Sequence, residues 1–368
     1  MASPNRCVAV FLPSLHGGGA ERAMLVFCRE LVELGWSVDL ITVKLEGPLR
    51  QLIPSGVSVI DLKSRRTTLA LPKLVSYLRK NQPAALYSTI MNANVVAAMA
   101  RVISGTRTPT IVRESNAPLS SPKNTVSRWI TYKVAPFLYL FANGVIAVSQ
   151  GVADELGVMA PRMRKRIRVI PTPVISDDVL HQGEAPVAHP WFTRHDKPII
   201  LSAARLERHK GFFTLLQAFA ELRTKKDARL AILGHGSMRE QIEAEVDRLG
   251  LREDVALLGF QHNPFAYMSK ANVFVLASEF EGLPNVLVQA MAFGTPVVAT
   301  DCKSGPAEIL CGGRYGTLVP VGDAHALALG LEKALDQPRH DGAMQHARSV
   351  YGARNAAHEY LAMAGLVV

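Results

Sequence analysis

The chain has few cysteines, and they are not placed to bind a metal or to form a disulfide framework. Only four occur in 368 residues, at Cys7, Cys28, Cys302 and Cys311, and no two have the spacing of a zinc motif. The divalent-cation motif Asp-x-Asp does not occur anywhere. These absences favour a reduced, cytosolic protein without a structural metal.

Long apolar runs are also missing. The most apolar segment, residues 134–148, contains Pro136, Asn143 and Gly144, which favour a helix end, a turn and a core strand over a membrane span. The N-terminus has one basic residue, Arg6, before a strand-like run, and does not resemble a signal peptide. No internal repeat or low-complexity tract is present. We therefore expect an ordinary globular chain.

Strand-like apolar runs alternate with helical patterns, and the length exceeds what one ordinary core supports. This alternation predicts an α/β fold of two Rossmann-like parallel-sheet domains with helices on both faces. Prolines 171, 173, 186 and 190 interrupt the pattern and indicate the domain join. We predict an N-terminal domain at 1–176, a linker at 177–189 and a C-terminal domain at 190–350. The predicted strands span residues 7–12, 38–43, 85–88, 110–112, 145–148, 199–203, 230–233, 255–258, 273–277 and 297–300.

Residues 278–294 carry the most specific pattern in the chain. They form an acidic loop with glycine and proline that follows a predicted strand and leads into a short helix, with Asn285 as N-cap and Gly294 as the stop. Such a loop brings Glu281 and backbone N–H groups together at the carboxyl edge of a sheet, where the helix dipole favours an anion. The pattern predicts a site for a phosphorylated, hydroxyl-rich ligand.

A second strand-to-helix turn carries two cations. Arg205 and Lys210 follow the predicted strand 199–203, and Gly211 precedes a helical pattern that begins at Phe212. A guanidinium and an ammonium at such a turn can neutralise a diphosphate leaving group, although either residue alone reads as an ordinary solvated charge.

Two glycine-rich turns follow other predicted strands. Gly17, Gly18 and Gly19 come after strand 7–12, and Gly234 comes after strand 230–233. Glycines let the backbone approach a phosphate or sugar closely, but they also serve in plain tight turns. A dinucleotide-binding site would need Gly-x-Gly-x-x-Gly, and Arg22 stands where its last glycine would be.

Polar residues follow two further strands of the N-terminal half. Glu114, Ser115 and Asn116 come after strand 110–112 and are candidates for contact with a sugar or an acceptor. Ser149 follows strand 145–148 and is expected first as an N-cap and second as a ligand contact.

The excess of positive over negative charge is confined to one half of the chain. Residues 1–184 hold 22 Lys and Arg against 12 Asp and Glu, whereas residues 185–368 hold 19 of each. The excess can form a solvated face, or it can attract anionic lipid headgroups or a phosphate-bearing acceptor. We do not expect nucleic acid, because no aromatic residues are interleaved with the basic ones. The densest clusters are Arg162, Arg164, Lys165, Arg166 and Arg168, and Arg65 with Arg66.

Together these motifs resemble the donor site of the family 4 retaining glycosyltransferases of the GT-B fold. The loop that begins at Glu281 is similar to the family pattern Glu-Gly-x-Pro-x-x-x-x-Glu-Ala, with Gln289 in place of the second glutamate. Arg205, Lys210 and Gly211 are similar to the family's Arg-x-x-x-x-Lys-Gly element. Related enzymes often carry a histidine near residues 113–118 that contacts the donor sugar, and this chain has none there.

The resemblance implies a role for each matched residue. Glu281, Arg205 and Lys210 would be catalytic. The second acid of the family holds the ribose hydroxyls, and the Gln289 amide can still accept from one hydroxyl and donate to another. The C-terminal helix, within 351–368, would pack back on the N-terminal domain. The implied donor-binding residues are Gly17, Gly18, Gly19, Gly234, Phe260, Gly282, Leu283, Pro284, Asn285 and Gln289.

The resemblance also implies an activity. It is the retaining, metal-independent transfer of a hexose or N-acetylhexosamine from a nucleoside diphosphate sugar, expected to be a UDP-sugar, to a glycan or lipid-linked saccharide. The setting would be bacterial polysaccharide biosynthesis, in the cytoplasm at the inner face of the plasma membrane. No cofactor is expected, because the arginine and lysine would take the role of a divalent ion.

Three alternatives remain open from the residues. A retaining glycosidase needs two carboxyl groups about 5–5.5 Å apart, for which Glu279 and Glu281 are the nearest pair in sequence, but it has no need of the two cations. A nucleotide-sugar epimerase of the same fold would need acid and base groups at the reacting carbon. A non-catalytic nucleotide-sugar-binding protein is suggested by Gln289.

Overall fold

The computed structural model describes residues 6–16, 18–115, 134–135, 137–194 and 196–366. The chain divides into two compact units. Unit 1 comprises Met1–Pro173 and Gly352–Val368, and unit 2 comprises Val174–Tyr351.

Unit 1 contains a seven-stranded sheet of order β3-β2-β1-β4-β5-β6-β7 in which every neighbouring pair is parallel. The central strands are short apolar runs that are buried on both faces, as expected when helices cover a parallel sheet. The strands are β1 Cys7–Leu12, β2 Ser37–Thr42, β3 Val57–Asp61, β4 Ala85–Thr89, β5 Thr110–Glu114, β6 Gly144–Ala147 and β7 Ile167–Val169.

The connections between these strands contain helices and short 3₁₀ segments. In the described residues these connections include the α-helices α1 Gly19–Glu33, α2 Leu71–Asn81, α3 Met91–Ser104 and α4 Gln150–Met159. The 3₁₀ segments are Pro48–Leu52, Thr67–Ala70, Tyr139–Phe141 and Pro161–Arg166.

Unit 2 repeats the plan with a six-stranded parallel sheet of order β10-β9-β8-β11-β12-β13. One large apolar core lies between this sheet and the helices that cover it. The strands are β8 Ile199–Ala203, β9 Arg229–Leu233, β10 Val255–Gly259, β11 Val273–Leu276, β12 Val297–Thr300 and β13 Thr317–Val319. The helices are α5 Asp177–Glu184, α6 Pro190–Arg194, α7 Phe212–Arg223, α8 Arg239–Arg248, α9 Phe265–Lys270, α10 Asn285–Ala292, α11 Pro306–Ile309, α12 Ala324–Leu335 and α13 Asp341–Val350, and a 3₁₀ segment spans Arg208–Lys210.

The last helix, α14 Ala353–Met363, packs within unit 1. Its Tyr360 is fully buried against Phe27 of α1 and Tyr87 of β4, with ring centroids 4.9 and 6.1 Å away. The Tyr87 hydroxyl donates to the Tyr360 carbonyl oxygen at 2.7 Å.

The two parallel sheets confirm the predicted α/β fold class, but the segment predicted as a linker has a different structure. Residues 177–184 form α5, which begins at the N-cap Ser176 and has two acids in its first turn. Polar side chains of unit 2 hold its end, because Asn263 and Ser269 donate to the carbonyl oxygens of Gln182 and Gly183. Pro186 follows the end of α5 and Pro190 is the first residue of α6, positions at which proline is well tolerated.

Candidate functional site

The carboxyl ends of neighbouring strands in unit 2 bring the predicted donor residues to one edge of the sheet. Arg205 follows β8, Gly234 follows β9, Phe260 follows β10 and Glu281 follows β11. Because β10, β9, β8 and β11 are adjacent and parallel, these four loops lie side by side. This edge of an α/β sheet is where ligands bind most often.

The centre of this edge is an ion pair. Lys210 Nζ lies 2.7 Å from Glu281 Oε1, and the Ser278 hydroxyl donates to the same oxygen at 2.7 Å. The two charged side chains are only 15% and 11% exposed, so they attract each other more strongly than a surface pair does. The structure therefore brings together the lysine and the glutamate that were predicted from motifs 71 residues apart.

The loop that carries Glu281 is fastened to the segment that carries Lys210. The Glu279 backbone N–H donates to the His209 carbonyl at 2.8 Å, and the His209 ring stacks on Phe280 with centroids 4.4 Å apart. Burial, together with the neighbouring Lys210 charge, lowers the pKa of His209 to about 4. His209 is therefore neutral at physiological pH and acts as an aromatic clamp.

Two glycines at this edge allow backbone segments to approach closely. Gly211 and Gly234 have φ of 68° and 136°, and a Cβ on either would overlap a carbonyl oxygen, that of Ala277 or Ala204 respectively. Only glycine fits both conditions. Gly211 lets the 3₁₀ segment turn into α7 directly after Lys210, whereas the demonstrated role of Gly234 is structural.

Arg205 and Phe260 are at the more open part of the edge. The Arg205 side chain is exposed and forms no hydrogen bond or ion pair with another residue in the described part of the chain. Phe260 makes edge contacts with His235 and His262, with ring centroids 5.7 and 5.2 Å away. An unpaired guanidinium and an aromatic cluster suit a phosphate and a planar base.

Helix α10 begins one residue earlier than the sequence indicated. Pro284 is at the cap position without a side-chain cap bond, and Asn285 is the first helical residue, so the prediction of Asn285 as N-cap is wrong. Proline provides a preset φ of −74° at this boundary. Gly282, Leu283 and Gln289 are buried, and Gly294 ends the helix turn with a φ of 71°, as predicted.

A neighbouring loop was assigned no ligand role from the sequence. Ser304 has a φ of 69°, and its hydroxyl is buried without a hydrogen-bond partner among the described residues. The next residue, Gly305, packs so closely that a Cβ would lie 2.7 Å from Pro284 Cδ. The Ser304 loop lies beside the Glu281 loop, and its backbone strain and unsatisfied hydroxyl are features that often occur at functional sites. Neither feature can be predicted from the sequence.

The glycine turn of unit 1 is only partly described. Gly17 lies outside the described residues, Gly18 is the N-cap of α1 and Gly19 is its first residue. A side chain at Gly18 would overlap the Glu21 carboxylate, which occupies the first turn of the helix. Because that carboxylate is the end of a flexible side chain and the φ of Gly18 is −72°, the fold does not require glycine at this position.

The acceptor candidates of unit 1 are placed differently from the prediction. Glu114 and Ser149 are fully buried. Glu114 accepts from the Tyr139 hydroxyl at 2.7 Å, and Ser149 caps α4 by accepting from the Val152 N–H at 3.3 Å, which confirms its predicted capping role. Neither side chain is accessible in this structure, and contact of these residues with an acceptor stays a prediction. Ser115 is partly exposed and remains a candidate, and Asn116 lies outside the described residues.

Arg113, which precedes Glu114, is a buried charge. It is 2% exposed and donates to the hydroxyls of Tyr360, Thr89 and Thr172 at 3.0, 3.2 and 2.7 Å. No sequence pattern indicates this network, because its members are far apart along the chain.

Two features are absent from the part of the chain that the structure describes. It contains no group of three or more His, Cys, Asp or Glu residues placed to hold a metal ion. None of its helices is both long and apolar enough to cross a membrane.

Comparison with known proteins gives a consistent answer. Residues 17–178 match the family model "Glycosyltransferase Family 4", and residues 189–353 match "Glycosyl transferases group 1". The N-acetylgalactosamine-N,N'-diacetylbacillosaminyl-diphospho-undecaprenol 4-α-N-acetylgalactosaminyltransferase of Campylobacter jejuni is 29% identical over 90% of this chain and 91% of its own length. A second Campylobacter jejuni α-1,4-N-acetylgalactosaminyltransferase is 25% identical over 89% of each chain.

The fold has close structural matches. Anabaena HepE, solved in complex with UDP and glucose, superimposes with a TM-score of 0.78 at 20% identity over 98% of this chain and 99% of its own. The two family models together span nearly the whole chain, on either side of the boundary between the units. The chain is a glycosyltransferase enzyme of family 4 with the GT-B fold.

Proposed function

We propose that this enzyme transfers a hexose or N-acetylhexosamine from a UDP-sugar to a glycan or lipid-linked saccharide, with retention of anomeric configuration, in bacterial polysaccharide biosynthesis. The observation that carries the proposal is the Lys210–Glu281 ion pair at the carboxyl edge of the unit 2 sheet. The names of the Campylobacter relatives, which describe transfer to undecaprenol-linked saccharides, support the acceptor class. The UDP complexes of Anabaena HepE support the donor class.

Lys210 and Arg205 would stabilise the departing diphosphate. Both follow β8, and the exposed Arg205 fork is free to bind phosphate oxygens through two parallel hydrogen bonds. Charge that develops on the leaving oxygen would be stabilised by cations already in position, and such electrostatic stabilisation contributes most of the rate enhancement in many enzymes. These two side chains would supply the charge that a divalent ion supplies elsewhere, so we propose that transfer needs no metal.

Glu281 would position the donor rather than attack it. Its Oε1 already accepts from both Lys210 and Ser278 at 2.7 Å, and such hydrogen bonds reduce the nucleophilicity of a carboxylate. A route through a covalent glycosyl-enzyme is therefore disfavoured. We propose a front-face route, in which the acceptor hydroxyl attacks from the leaving-group side and its proton passes to the departing phosphate oxygen.

The remaining donor contacts follow from the same edge. Phe260, within its aromatic cluster, would lie against the base, and Gln289 would hold the ribose by accepting from one hydroxyl and donating to another. Ser115 is the accessible candidate for acceptor contact in unit 1. We also propose that the enzyme works in the cytoplasm at an anionic membrane surface, where a lipid-linked acceptor would be found, and that it does not bind nucleic acid.

The test is thermal stabilisation of the purified protein by nucleoside diphosphates and their sugars, with and without EDTA. We expect UDP and one UDP-sugar to raise the Tm, with no loss on chelation, and the donor to be consumed when a lipid-linked acceptor is added. Stabilisation by a guanosine or adenosine diphosphate alone would contradict the base assignment. A donor that binds but is never consumed with any acceptor would contradict the transferase assignment.

A further inference from the structure

A continuous surface at the amino edge of the unit 1 sheet combines exposed apolar side chains with arginines and a lysine. It is formed by the end of α3 with the loop that leads to β5, residues 137–141 before β6, the end of α4, and the 3₁₀ segment before β7. We call it the basal surface. Its exposed apolar residues are Val102, Ile103, Phe137, Phe141 and Val158, and its exposed cations are Arg107, Arg162, Arg164, Lys165 and Arg166.

Direct contacts join these four pieces. Arg101, in the last turn of α3, donates to the Phe141 carbonyl oxygen at 3.0 Å. Arg166 donates to the carbonyl oxygens of Leu140 and Ala142 at 2.8 and 3.3 Å. On α4, a Cβ at Gly157 would lie 3.0 Å from the Arg164 Nε, so the residue next to Val158 touches the basic segment. The four pieces therefore lie together, and the apolar and basic residues that they carry share one region of the surface.

The apolar side chains of this patch are unusually exposed. Val158 and Phe137 expose 65% and 54% of their surface. Two phenylalanines and three aliphatic residues joined in this way form a patch larger than isolated surface residues give, and such patches mark interaction sites.

The charge of the basal surface is mostly positive. Residues 91–113 contain no acid, and residues 137–169 contain only Asp154 and Glu155, of which Glu155 is buried. Asp154 is exposed one turn before Val158 and accepts from the Gln150 side chain at 2.8 Å. Cations thus outnumber exposed acids several-fold around the apolar side chains.

From these observations we infer that the basal surface is the membrane-docking surface of this enzyme, and that its partner is the interfacial layer of a bilayer rich in anionic phospholipid. The apolar side chains would enter the headgroup and acyl boundary while the arginines and Lys165 bind lipid phosphates. A second copy of the chain would bring the same positive charge to the patch, which repels. Nucleic acid would match the charge but would leave the exposed phenylalanine and valine side chains in water.

Docking at this surface leaves the acceptor candidate of unit 1 accessible. Ser115 follows the carboxyl end of β5, whereas the basal surface precedes the amino ends of β5, β6 and β7. The inference rests on the proposed function only because a lipid-linked acceptor would bring the enzyme to a membrane. Vesicle binding needs neither donor nor acceptor, so the two proposals can fail separately.

The test is flotation of the full chain with phosphatidylcholine vesicles, with and without phosphatidylglycerol, at low and high salt. We expect flotation only with phosphatidylglycerol, and less of it at high salt. Removal of each cation should lower partitioning about fivefold, so Arg162→Glu with Arg164→Glu should lower it about 25-fold or more. Arg166 is kept, because its guanidinium holds backbone carbonyls of the neighbouring segment.

Matched variants separate this patch from net charge and from general apolarity. Arg65→Glu with Arg66→Glu makes the same charge change on exposed residues elsewhere in unit 1 and should keep most of the binding. Phe137→Ser should weaken flotation severalfold, whereas Leu69→Ser, at a residue 58% exposed, should not. The Tm shift with UDP should be unchanged in all four variants.

Several outcomes would overturn the inference. Equal losses in the two charge-reversal variants would show an effect of net charge, and equal losses in the two serine variants would show a general effect of apolarity. Wild-type protein that does not float with anionic vesicles while its UDP shift is intact would exclude the surface but not the transferase. A concentration-dependent dimer that Phe137→Ser dissolves would assign the patch to a second copy.

Discussion

The carboxyl edges of the two sheets hold their charged side chains in different ways. In unit 2, Lys210 and Glu281 pair at partly exposed positions and Arg205 extends into solvent. In unit 1, Arg113 and Glu114 are buried, and the groups hydrogen-bonded to the Arg113 guanidinium are all neutral hydroxyls. Both edges look alike in sequence, as polar residues that follow an apolar strand. Solvent access decides which of these charged groups is available to a ligand and which stabilises the fold.

The largest expected effect comes from removing the cations of unit 2. Lys210→Ala or Arg205→Ala should lower transfer at least about 100-fold, because each removes a group that stabilises charge on the leaving diphosphate. Initial rates with a UDP-sugar and a lipid-linked acceptor measure this. Lys225→Ala, at an exposed lysine paired with Glu332, is the control and should keep full activity. Near-normal rates in both site variants would remove the diphosphate role from these residues.

Replacement of Arg113, the buried arginine of unit 1, should lower stability, whereas replacement of the unit 2 cations should lower activity. Arg113→Ala leaves three buried hydroxyls without their donor and should cost about 3 kcal/mol of stability. Calorimetry should then show unit 1 melting at a lower temperature, while the UDP-induced shift of unit 2 persists. Arg205→Ala should leave the melting temperature unchanged, because its side chain has no partner to lose in the described structure. A stable Arg113→Ala protein would contradict the structural role.

The buried ring of His209, next to Lys210, should make the stability of the protein depend on pH. His209 has a pKa of about 4 when folded and 6.5 as its ordinary value, so the unfolded chain binds more protons between these values. Stability should therefore fall as the pH falls from 6.5 towards 4. His209→Phe keeps a ring on Phe280 without titrating, and its Tm should vary less with pH. His181→Phe, at a side chain 83% exposed, should keep the wild-type slope.

The smallest expected effect is a gain in stability at Ser304. Ser304→Gly removes both the positive-φ strain and the unpaired buried hydroxyl, and should stabilise the protein by about 1 kcal/mol. Ser304→Ala removes only the hydroxyl and should stabilise it less. Thermal unfolding measures both. A loss of stability in both variants would mean that the hydroxyl is satisfied in solution, for example by water.

Most of the sheets could be predicted from the sequence, and the strands that were missed share a cause. The strands predicted at 199–203 and 297–300 match β8 and β12 to the residue. The missed strands β3, β7 and β13 are all sheet edges, with mostly intermediate or exposed residues. These three strands pack on fewer neighbours, and their sequences lack the continuous apolar run that marks a central strand. The fourth edge strand, β10, keeps such a run and was predicted.

Some features of the candidate site could likewise be predicted from the sequence, and others could not. Glu281, Arg205 and Lys210 were found from sequence, because glycine and proline loops that follow apolar strands keep a fixed order along the chain. The burial of Glu114 and Ser149 could not be predicted from the sequence, because it depends on what packs over the end of each strand. Here Tyr139 contacts Glu114, and the first turn of α4 contacts Ser149. The Ser304 loop and the apolar side chains of the basal surface also appear only when distant segments are brought together.

By itself the sequence determined the fold class, the order of the strand-end motifs, the concentration of positive charge in the N-terminal half and the enzyme family. These properties depend on local patterns, which a linear chain carries directly. Only the tertiary structure decided that Lys210 pairs with Glu281, that Arg113 is a buried structural charge, and that arginines from one segment surround phenylalanines from another. Each of these depends on contacts between residues far apart in the chain, and packing and solvent exposure set their energies.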